Sequence, residues 1–280
     1  MKTKLILIEG LPSTGKSTTA KITKEILDEL GLDNELFLEG NLDHPADYDR
    51  VAYLTETEYK KLIKNNKSYE DFIKRITEKK EEGYFIAYHK KLKKWENEFP
   101  EDLFKQIVKN DIYEIPLELN KELILNNWKR FVKNAKEQEK IYIFECVFVQ
   151  NPITVSIIRD NTDREVAFEY VYELLEIIKK LNPVLIYLNQ DNIEKSFNKV
   201  IEERPEWWLD FFIEYYTNRA FGKSRNLEGL AGTLAGMKEI GDIQSDLIKK
   251  IDMDKYTLNN SHYNKKKSKN NLKNILKEVL

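Results

Sequence analysis

Short runs of apolar residues recur along the chain, and the longer segments between them carry apolar residues three or four positions apart. The uninterrupted runs fall at residues 5–8, 36–38, 141–144 and 184–188, with a weaker run at 256–258. Such runs are typical of strands that are buried on both faces of a parallel sheet. Because helical spacings separate the runs, the pattern predicts an α/β fold, with a parallel sheet flanked by helices and right-handed crossovers.

The segment from residue 55 to residue 140 interrupts this alternation. Its apolar residues have helical spacing around positions 69–76, 103–108 and 124–132, and it contains no run that resembles a buried strand. We therefore expect a mostly helical insertion between the second and third strands, packed over the edge of the sheet where ligands bind. Residues 1–54 and 141–280 are expected to form the core, with a lid at about 191–225.

A loop with two glycines follows the first predicted strand. Residues 10–17 read GLPSTGKS and match the phosphate-loop pattern G-x-x-x-x-G-K-[ST] at every fixed position. In such a loop, backbone N–H groups converge on a phosphate at the positive end of the following helix. The predicted nucleotide-binding residues are Gly10, Leu11, Pro12, Ser13, Thr14, Gly15, Lys16, Ser17 and Thr18.

Polar residues stand where each of the first four apolar runs ends. They are Glu9, Glu39, Glu145 and the pair Asn189 and Gln190. In an open parallel sheet, ligands bind at the carboxyl ends of the strands, so these side chains are expected to lie along one edge beside the phosphate loop. Any one of them alone is equally well explained by a strand that reaches solvent, and only their agreement favours a ligand edge.

Charge and cysteine content exclude several classes of protein. The chain has 280 residues, with 46 Lys and Arg against 48 Asp and Glu, so it lacks the basic excess that nucleic-acid binders usually show. Its single cysteine, Cys146, excludes an internal disulfide and fits a reducing cytoplasm. No apolar run approaches the roughly 20 residues of a membrane span. We expect a cytoplasmic protein without nucleic-acid or membrane partners, and leave a homodimer open.

The loop and the order of elements resemble the P-loop kinases of small molecules, the nucleoside and nucleotide kinases, with thymidylate kinase as the nearest pattern. In that family an acidic residue ends the strand that corresponds to IYIFE, and Glu145 holds this place here. Cys146 follows where the family often has an arginine. The family's lid matches YLNQDNIEKSFNKVIEERPEWW, and its closing strand and helix match the C-terminal residues from Asp254 onward.

The resemblance implies ATP or GTP and Mg²⁺ as cofactors. Lys16 would contact the β- and γ-phosphates, while Ser17 and Glu145 would hold Mg²⁺. Glu145 could alternatively take the acceptor's proton. Glu39 and Asp43 lie after strand two, where the family binds the acceptor, and each could instead be an N-cap or a surface charge.

A lid arginine that stabilises the transferred phosphoryl group is also implied, with Arg204 as the first choice. Lys16, Glu145 and Arg204 are therefore the predicted catalytic residues. Arg159 is expected in the loop after strand three and is a predicted substrate contact. The other candidates for the lid cation are Arg159, Arg219, Lys223 and Arg225. Arg130 fits an anionic acceptor or, more simply, a surface ion pair.

Two further side chains have simple structural interpretations. His44 is interpreted as a partly exposed loop residue before Pro45. Cys146 is interpreted as a small buried apolar residue rather than a nucleophile.

Three functions remain open at this point. The first is an ATP-dependent kinase of a small molecule such as a nucleoside, a nucleotide or an antibiotic-like compound with a hydroxyl group, with residues 55–140 as the cap that binds it. The second is a P-loop ATPase or GTPase switch, although strand three ends in Glu145 rather than Asp and the sequence has no Asn-Lys-x-Asp motif. The third is a non-catalytic nucleotide-binding protein, against which the intact Lys16 and Ser17 pair argues.

Overall fold

The computed structural model describes residues 2–88 and 100–280, which fall into two compact units. One unit comprises Met1–Glu39 and Trp128–Leu280, and the other comprises Gly40–Asn127. The boundaries therefore fall at 39/40 and 127/128, whereas the sequence pattern placed them at 54/55 and 140/141. Residues 89–99 of the expected insertion lie outside the described residues.

The elements are named in chain order. They are β1 (Leu5–Gly10), α1 (Lys16–Glu29), β2 (Asn34–Phe37), β3 (Val51–Leu54), α2 (Glu56–Asn65), α3 (Glu70–Arg75), β4 (Thr77–Lys79), β5 (Tyr84–Ala87), α4 (Glu101–Val108), α5 (Leu117–Ala135), β6 (Ile141–Glu145), α6 (Gln150–Ile153), α7 (Arg164–Ile178), β7 (Val184–Asn189), α8 (Ile193–Glu203), α9 (Glu206–Asn218), α10 (Ala220–Ser224), α11 (Gly229–Lys250), β8 (Asp254–Asn259) and α12 (Lys265–Val279). Short 3-10 turns lie at Lys67–Tyr69 and Lys179–Leu181, and a π-helical turn lies at Thr154–Arg159.

A parallel sheet forms the centre of the first unit. Among the described residues it has five strands in the order β2-β6-β1-β7-β8, and every neighbouring pair is parallel. All five apolar runs of the sequence are strands of this sheet, which confirms the predicted α/β fold. Ile8 lies opposite Glu145 and Gly10 lies opposite Leu188, so the carboxyl ends of the three central strands meet at one edge.

The alternation along each strand divides its side chains between two apolar layers. On one face, Ile6 and Ile8 of β1 pack in a buried cluster with Ile26 of α1 and Leu272 of α12. On the other, aromatic rings from the C-terminal half of α5 cover β6, and Phe131 lies with its ring centre 4.8 Å from that of Phe144. Burial on both faces explains why the strands have so few polar residues before their carboxyl ends.

The insertion contains strands as well as the expected helices, although the sequence pattern indicated no buried strand there. In the part of Gly40–Asn127 that the structure describes, three strands form an antiparallel sheet in the order β3-β5-β4. A buried cluster that includes Leu54, Ile73 and Ile86 joins this sheet to its helices. The strands are only three or four residues long, so their apolar positions are too few to stand out from the helical spacings around them. The role of this unit in acceptor binding stays a prediction.

His44 is buried, not partly exposed, with 8% of its surface accessible. Its Nδ1 accepts the backbone N–H of Ala46 at 3.1 Å, so the ring closes the turn that precedes β3. Burial lowers the pKa of His44 to about 3, which keeps the imidazole neutral at physiological pH.

Within the described residues, no helix combines the length and apolar character that crossing a membrane requires.

Candidate active site

The loop between β1 and α1 needs glycine at both of its fixed positions. Gly10 has φ +144°, and a Cβ there would lie 2.6 Å from the carbonyl oxygen of Leu188. Gly15 has φ +89°, and a Cβ there would lie 2.5 Å from Nδ2 of Asn260. Both glycines have φ values that other residues rarely adopt, and at Gly10 a Cβ would in addition collide with the backbone. The loop is held tightly against the ends of β7 and β8.

Helix α1 begins at Lys16 with Gly15 as its N-cap. Among the described residues no side chain caps this helix, and its first turn contains no acidic residue. The uncapped N–H groups of the first turn, at the positive end of the helix dipole, are the groups that bind phosphate in loops of this kind.

The Lys16 side chain is folded into the loop. Its Nζ donates to the carbonyl oxygen of Leu11 at 2.9 Å, and Thr14 Oγ1 donates to the same oxygen at 2.8 Å. Burial alone would lower the pKa of Lys16, but the acidic side chains around it, including Glu39 and Glu145, raise the pKa above its usual value. The ammonium group therefore stays charged inside the loop, as phosphate binding requires.

Ser17 and Glu145 are brought together by the strand register. Ser17 Oγ donates to Glu145 Oε1 at 2.7 Å, across 128 positions of sequence. The backbone N–H of Glu39 donates to the other carboxylate oxygen of Glu145 at 3.2 Å. A hydroxyl and a carboxylate are oxygen donors of the kind that Mg²⁺ prefers, so the predicted pair fits this ion.

Glu9 is the third carboxylate at this edge and is completely buried. Its Oε1 accepts the backbone N–H of Phe148 at 2.8 Å, and its Oε2 accepts that of Gln150 at 2.9 Å. Burial raises the pKa of Glu9 to about 7, while the backbone hydrogen bonds and Lys16 oppose this rise. Glu9 thus fixes the chain that follows β6.

Glu39 connects two residues of that chain. Cys146 Sγ donates to Glu39 Oε2 at 3.3 Å, and Gln150 Nε2 donates to Glu39 Oε1 at 3.0 Å. Cys146 is fully buried, as expected, and burial raises the pKa of its thiol well above the usual value. The ligand atoms of Glu39, Glu145 and Cys146 lie within 4.8 Å of one another. A neutral thiol is a poor partner for Mg²⁺, so only the two carboxylates suit that ion.

A cavity of about 790 Å³ lies beside the phosphate loop. Its walls come from the loop, from the ends of β2 and β6, from α8 and α9, and from the turn after β8. One wall is aromatic, because α9 places the following side chains at helical spacing along it: Trp208, Phe211, Phe212, Tyr215 and Tyr216. The lining also has polar residues, which include Glu39, Glu145, Gln150 and Asn151.

Arg204 lies on this cavity, at the C-cap of α8 where the sequence placed it. Its guanidinium lies 5.8 Å from the centre of the Trp208 ring. The side chain is exposed, so it is able to approach a ligand without leaving a buried partner.

The other candidate cations have different surroundings. Arg159 lies in the π-helical turn rather than in a loop, is buried, and binds Asp160 through Nε at 2.8 Å and Nη2 at 2.6 Å. Arg225 binds Glu239 and stacks on Phe221 at 3.9 Å. Neither arginine is among the residues that line the cavity within the described chain.

The remaining candidates are placed as follows. Arg219 is the C-cap of α9, with its guanidinium 5.3 Å from the Tyr215 ring centre. Lys223 is exposed, and Arg130 is half-buried on α5. Asp43 is exposed in the unit Gly40–Asn127, where its backbone N–H donates to Asn41 Oδ1 at 2.9 Å.

Two features of the site escaped sequence reasoning. The aromatic side chains of α9 have helical spacing over residues 208–216, a signal in the sequence that the prediction of a lid from the family resemblance left aside. No sequence pattern marks Gln150 as a site residue. It lies five positions after the last residue of β6, and the turn that Glu9 holds places it in the lining of the cavity.

No protein-family model matches the chain, and no curated protein matches it either. Among solved structures, it is similar to a thymidylate kinase from Candida albicans, with a TM-score of 0.45 and 12% sequence identity. The similarity covers 99% of this chain and 92% of that one. A likeness this distant does not establish a shared activity or substrate.

We predict that Glu9 makes the stability of the core fall as pH rises from about 4.5 to about 7, which are its usual and raised pKa values. In this window the folded state holds a proton that the unfolded state has lost, so the folded state is progressively destabilised. A shift of this size corresponds to about 3 kcal/mol.

Urea unfolding of the wild type and Glu9→Gln over this pH range measures the effect. The difference between their free energies of unfolding should change with pH, whereas the exposed control Glu137→Gln should run parallel to the wild type. A difference that stays constant across the window contradicts the raised pKa.

Proposed function

We propose that this protein is a Mg²⁺-dependent phosphotransferase that moves the γ-phosphoryl group of ATP or GTP to a small-molecule acceptor. The observation that carries the proposal is the hydrogen bond of 2.7 Å between Ser17 Oγ and Glu145. Both residues and the charged Lys16 line a cavity large enough for two small ligands. The phosphate-loop pattern and the resemblance of the chain to P-loop kinases support the same function.

The residues of the site divide the chemistry among them. Lys16 and the N–H groups at the start of α1 would neutralise the phosphates, which is most of what phosphoryl transfer asks of a protein. Ser17 and Glu145 would hold Mg²⁺, which neutralises charge on the β- and γ-phosphate oxygens when bound. Because one oxygen of Glu145 already accepts from Ser17, the geometry favours a metal-holding role for Glu145 over a general base.

The aromatic wall of α9 would keep water away from the phosphates. Excluding water matters because an exposed γ-phosphate would be hydrolysed instead of transferred. Arg204, on the rim beside Trp208, would swing inward when both ligands are bound. A P-loop ATPase without an acceptor is the alternative, and it predicts steady hydrolysis in the absence of any second substrate.

A screen for phosphoryl transfer tests the proposal. Purified protein is incubated with Mg²⁺ and ATP or GTP and with nucleosides, nucleotides, sugars and aminoglycosides, and products are identified by mass spectrometry.

We expect Glu145→Gln to lower turnover by about a hundredfold or more, since the metal would lose a charged ligand, while nucleotide affinity changes much less.

The control is Glu202→Gln, an exposed carboxylate on α8 that should behave as the wild type. Transfer to no acceptor, together with acceptor-independent hydrolysis, would replace this proposal with the ATPase alternative. Turnover of Glu145→Gln within a few-fold of the wild type would show that Glu145 only ends a strand.

Arg204→Ala should lower turnover by about a hundredfold and leave the nucleotide dissociation constant nearly unchanged. The reason is that a lid arginine contacts the phosphoryl group mainly in the transition state. Steady-state kinetics and calorimetry on the same samples separate the two quantities.

Lys223→Ala, at an exposed lid cation, is the matched control and should keep wild-type turnover. Equal losses in both variants, or an equal loss of nucleotide affinity in Arg204→Ala, would rule out this role for Arg204.

A further inference from the structure

We propose that Gln150 selects the small molecule that receives the phosphoryl group. Its side-chain amide oxygen accepts a hydrogen bond from an N–H or O–H group of that molecule, so the molecule carries this donor in addition to its reactive hydroxyl. This inference rests on the proposed function, because it names a property of the molecule that the same cavity would bind.

The first observation is a buried carbonyl oxygen that lacks a hydrogen-bond partner among the described residues. Gln150 lines the cavity and is 9% exposed. Its Oε1 is buried and has no hydrogen-bond partner among the described residues. An unmatched buried carbonyl costs about 1–3 kcal/mol, so a ligand that donates to this oxygen recovers free energy on binding.

The second observation fixes which end of the amide is unmatched. Gln150 Nε2 donates to Glu39 Oε1 at 3.0 Å. A carboxylate only accepts hydrogen bonds, so turning the amide over would place two oxygens against each other. The group left to the ligand is therefore the carbonyl oxygen, and the complementary chemistry is a donor.

The third observation is that Gln150 is held from both sides. Its backbone N–H donates to the buried Glu9 at 2.9 Å, while Glu39, its side-chain partner, also accepts from Cys146 Sγ at 3.3 Å. A side chain fixed in this way discriminates between ligands better than a mobile one, because little reorganisation compensates for a missing partner. The aromatic side chains of α9 in the lining leave its polar residues as the main source of directional contacts.

The test uses matched pairs of compounds. Each nucleoside, sugar and aminoglycoside of the screen is paired with its N- or O-methylated analogue, in which a methyl group replaces the hydrogen of one donor. Binding is measured by thermal shift and calorimetry in the presence of Mg²⁺ and ADP, and phosphoryl transfer is measured with Mg²⁺ and ATP.

For at least one pair, the wild type should prefer the unmethylated compound by at least about tenfold. Gln150→Met should reduce this preference by about tenfold, with the loss in KM rather than in kcat. Methionine occupies a similar volume, so any steric penalty of the methyl group remains and the change isolates the hydrogen bond.

Cys146→Ala is the control for an indirect effect through Glu39. It removes the other hydrogen bond to that carboxylate and leaves Gln150 in place, so it should retain the preference between the paired compounds. Equal loss of the preference in both variants would make Gln150 only a support for Glu39 and overturn the proposal.

Two other results also overturn the inference: the same preference in the wild type and Gln150→Met, or no compound of the panel bound at all. Its failure is distinguishable from failure of the proposed function. If a pair is discriminated in a Gln150-dependent manner but no compound is phosphorylated, selection by Gln150 stands and the phosphotransferase assignment falls.

Discussion

The buried carboxylate of Glu9 is the constraint on which the rest of the site depends. Glu9 lies on β1 immediately before the phosphate loop, and its carboxylate accepts two backbone N–H groups of the chain that follows β6. This ties the loop that would bind the nucleotide to the turn that carries Gln150. The turn is tight, because Cys146 adopts φ +71°, a conformation that residues other than glycine rarely adopt. Strain of this kind is kept only where surrounding contacts determine it.

From Glu9 the hydrogen bonds continue along the ends of the strands. Glu145, at the end of β6, binds Ser17 of α1 and the backbone of Glu39, and Glu39 in turn binds the thiol and the amide that follow β6. Three carboxylates so close together repel one another, and the buried charge of Lys16 offsets part of that repulsion. A Mg²⁺ ion would offset more of this negative charge, while Lys16 would also be available to a phosphate, which is why we regard the whole edge as one site.

Much of this arrangement was predictable from sequence, and the reasons are physical. Strands buried on both faces must be uninterrupted in apolar residues, so β1, β6 and β7 stand out in any reading of the chain. The glycine spacing of residues 10–15 is equally distinctive, because Gly10 and Gly15 have φ values that other residues rarely adopt. That acidic residues at three strand ends meet follows from the parallel topology alone.

What escaped prediction depends on tertiary contacts. The strands β3, β4 and β5 are short, and their burial comes from helices distant in sequence. His44 is polar and precedes a proline, features typical of an exposed loop, yet its turn folds inward. Gln150 acquires its role only because a carboxylate 141 positions earlier holds its backbone. No local pattern encodes such a contact.

The central claim is that Lys16, Ser17 and Glu145 form a site for a nucleotide with Mg²⁺. Calorimetric titration of the wild type and Lys16→Ala with non-hydrolysable analogues of ATP and GTP, with Mg²⁺ or with EDTA, tests it most directly. The account predicts that one analogue binds the wild type with Mg²⁺, and that EDTA weakens this binding. It also predicts that Lys16→Ala weakens binding by at least about thirtyfold, because a buried charged hydrogen bond is lost. Equal affinity in the two proteins, or no binding of either analogue to the wild type, would contradict it.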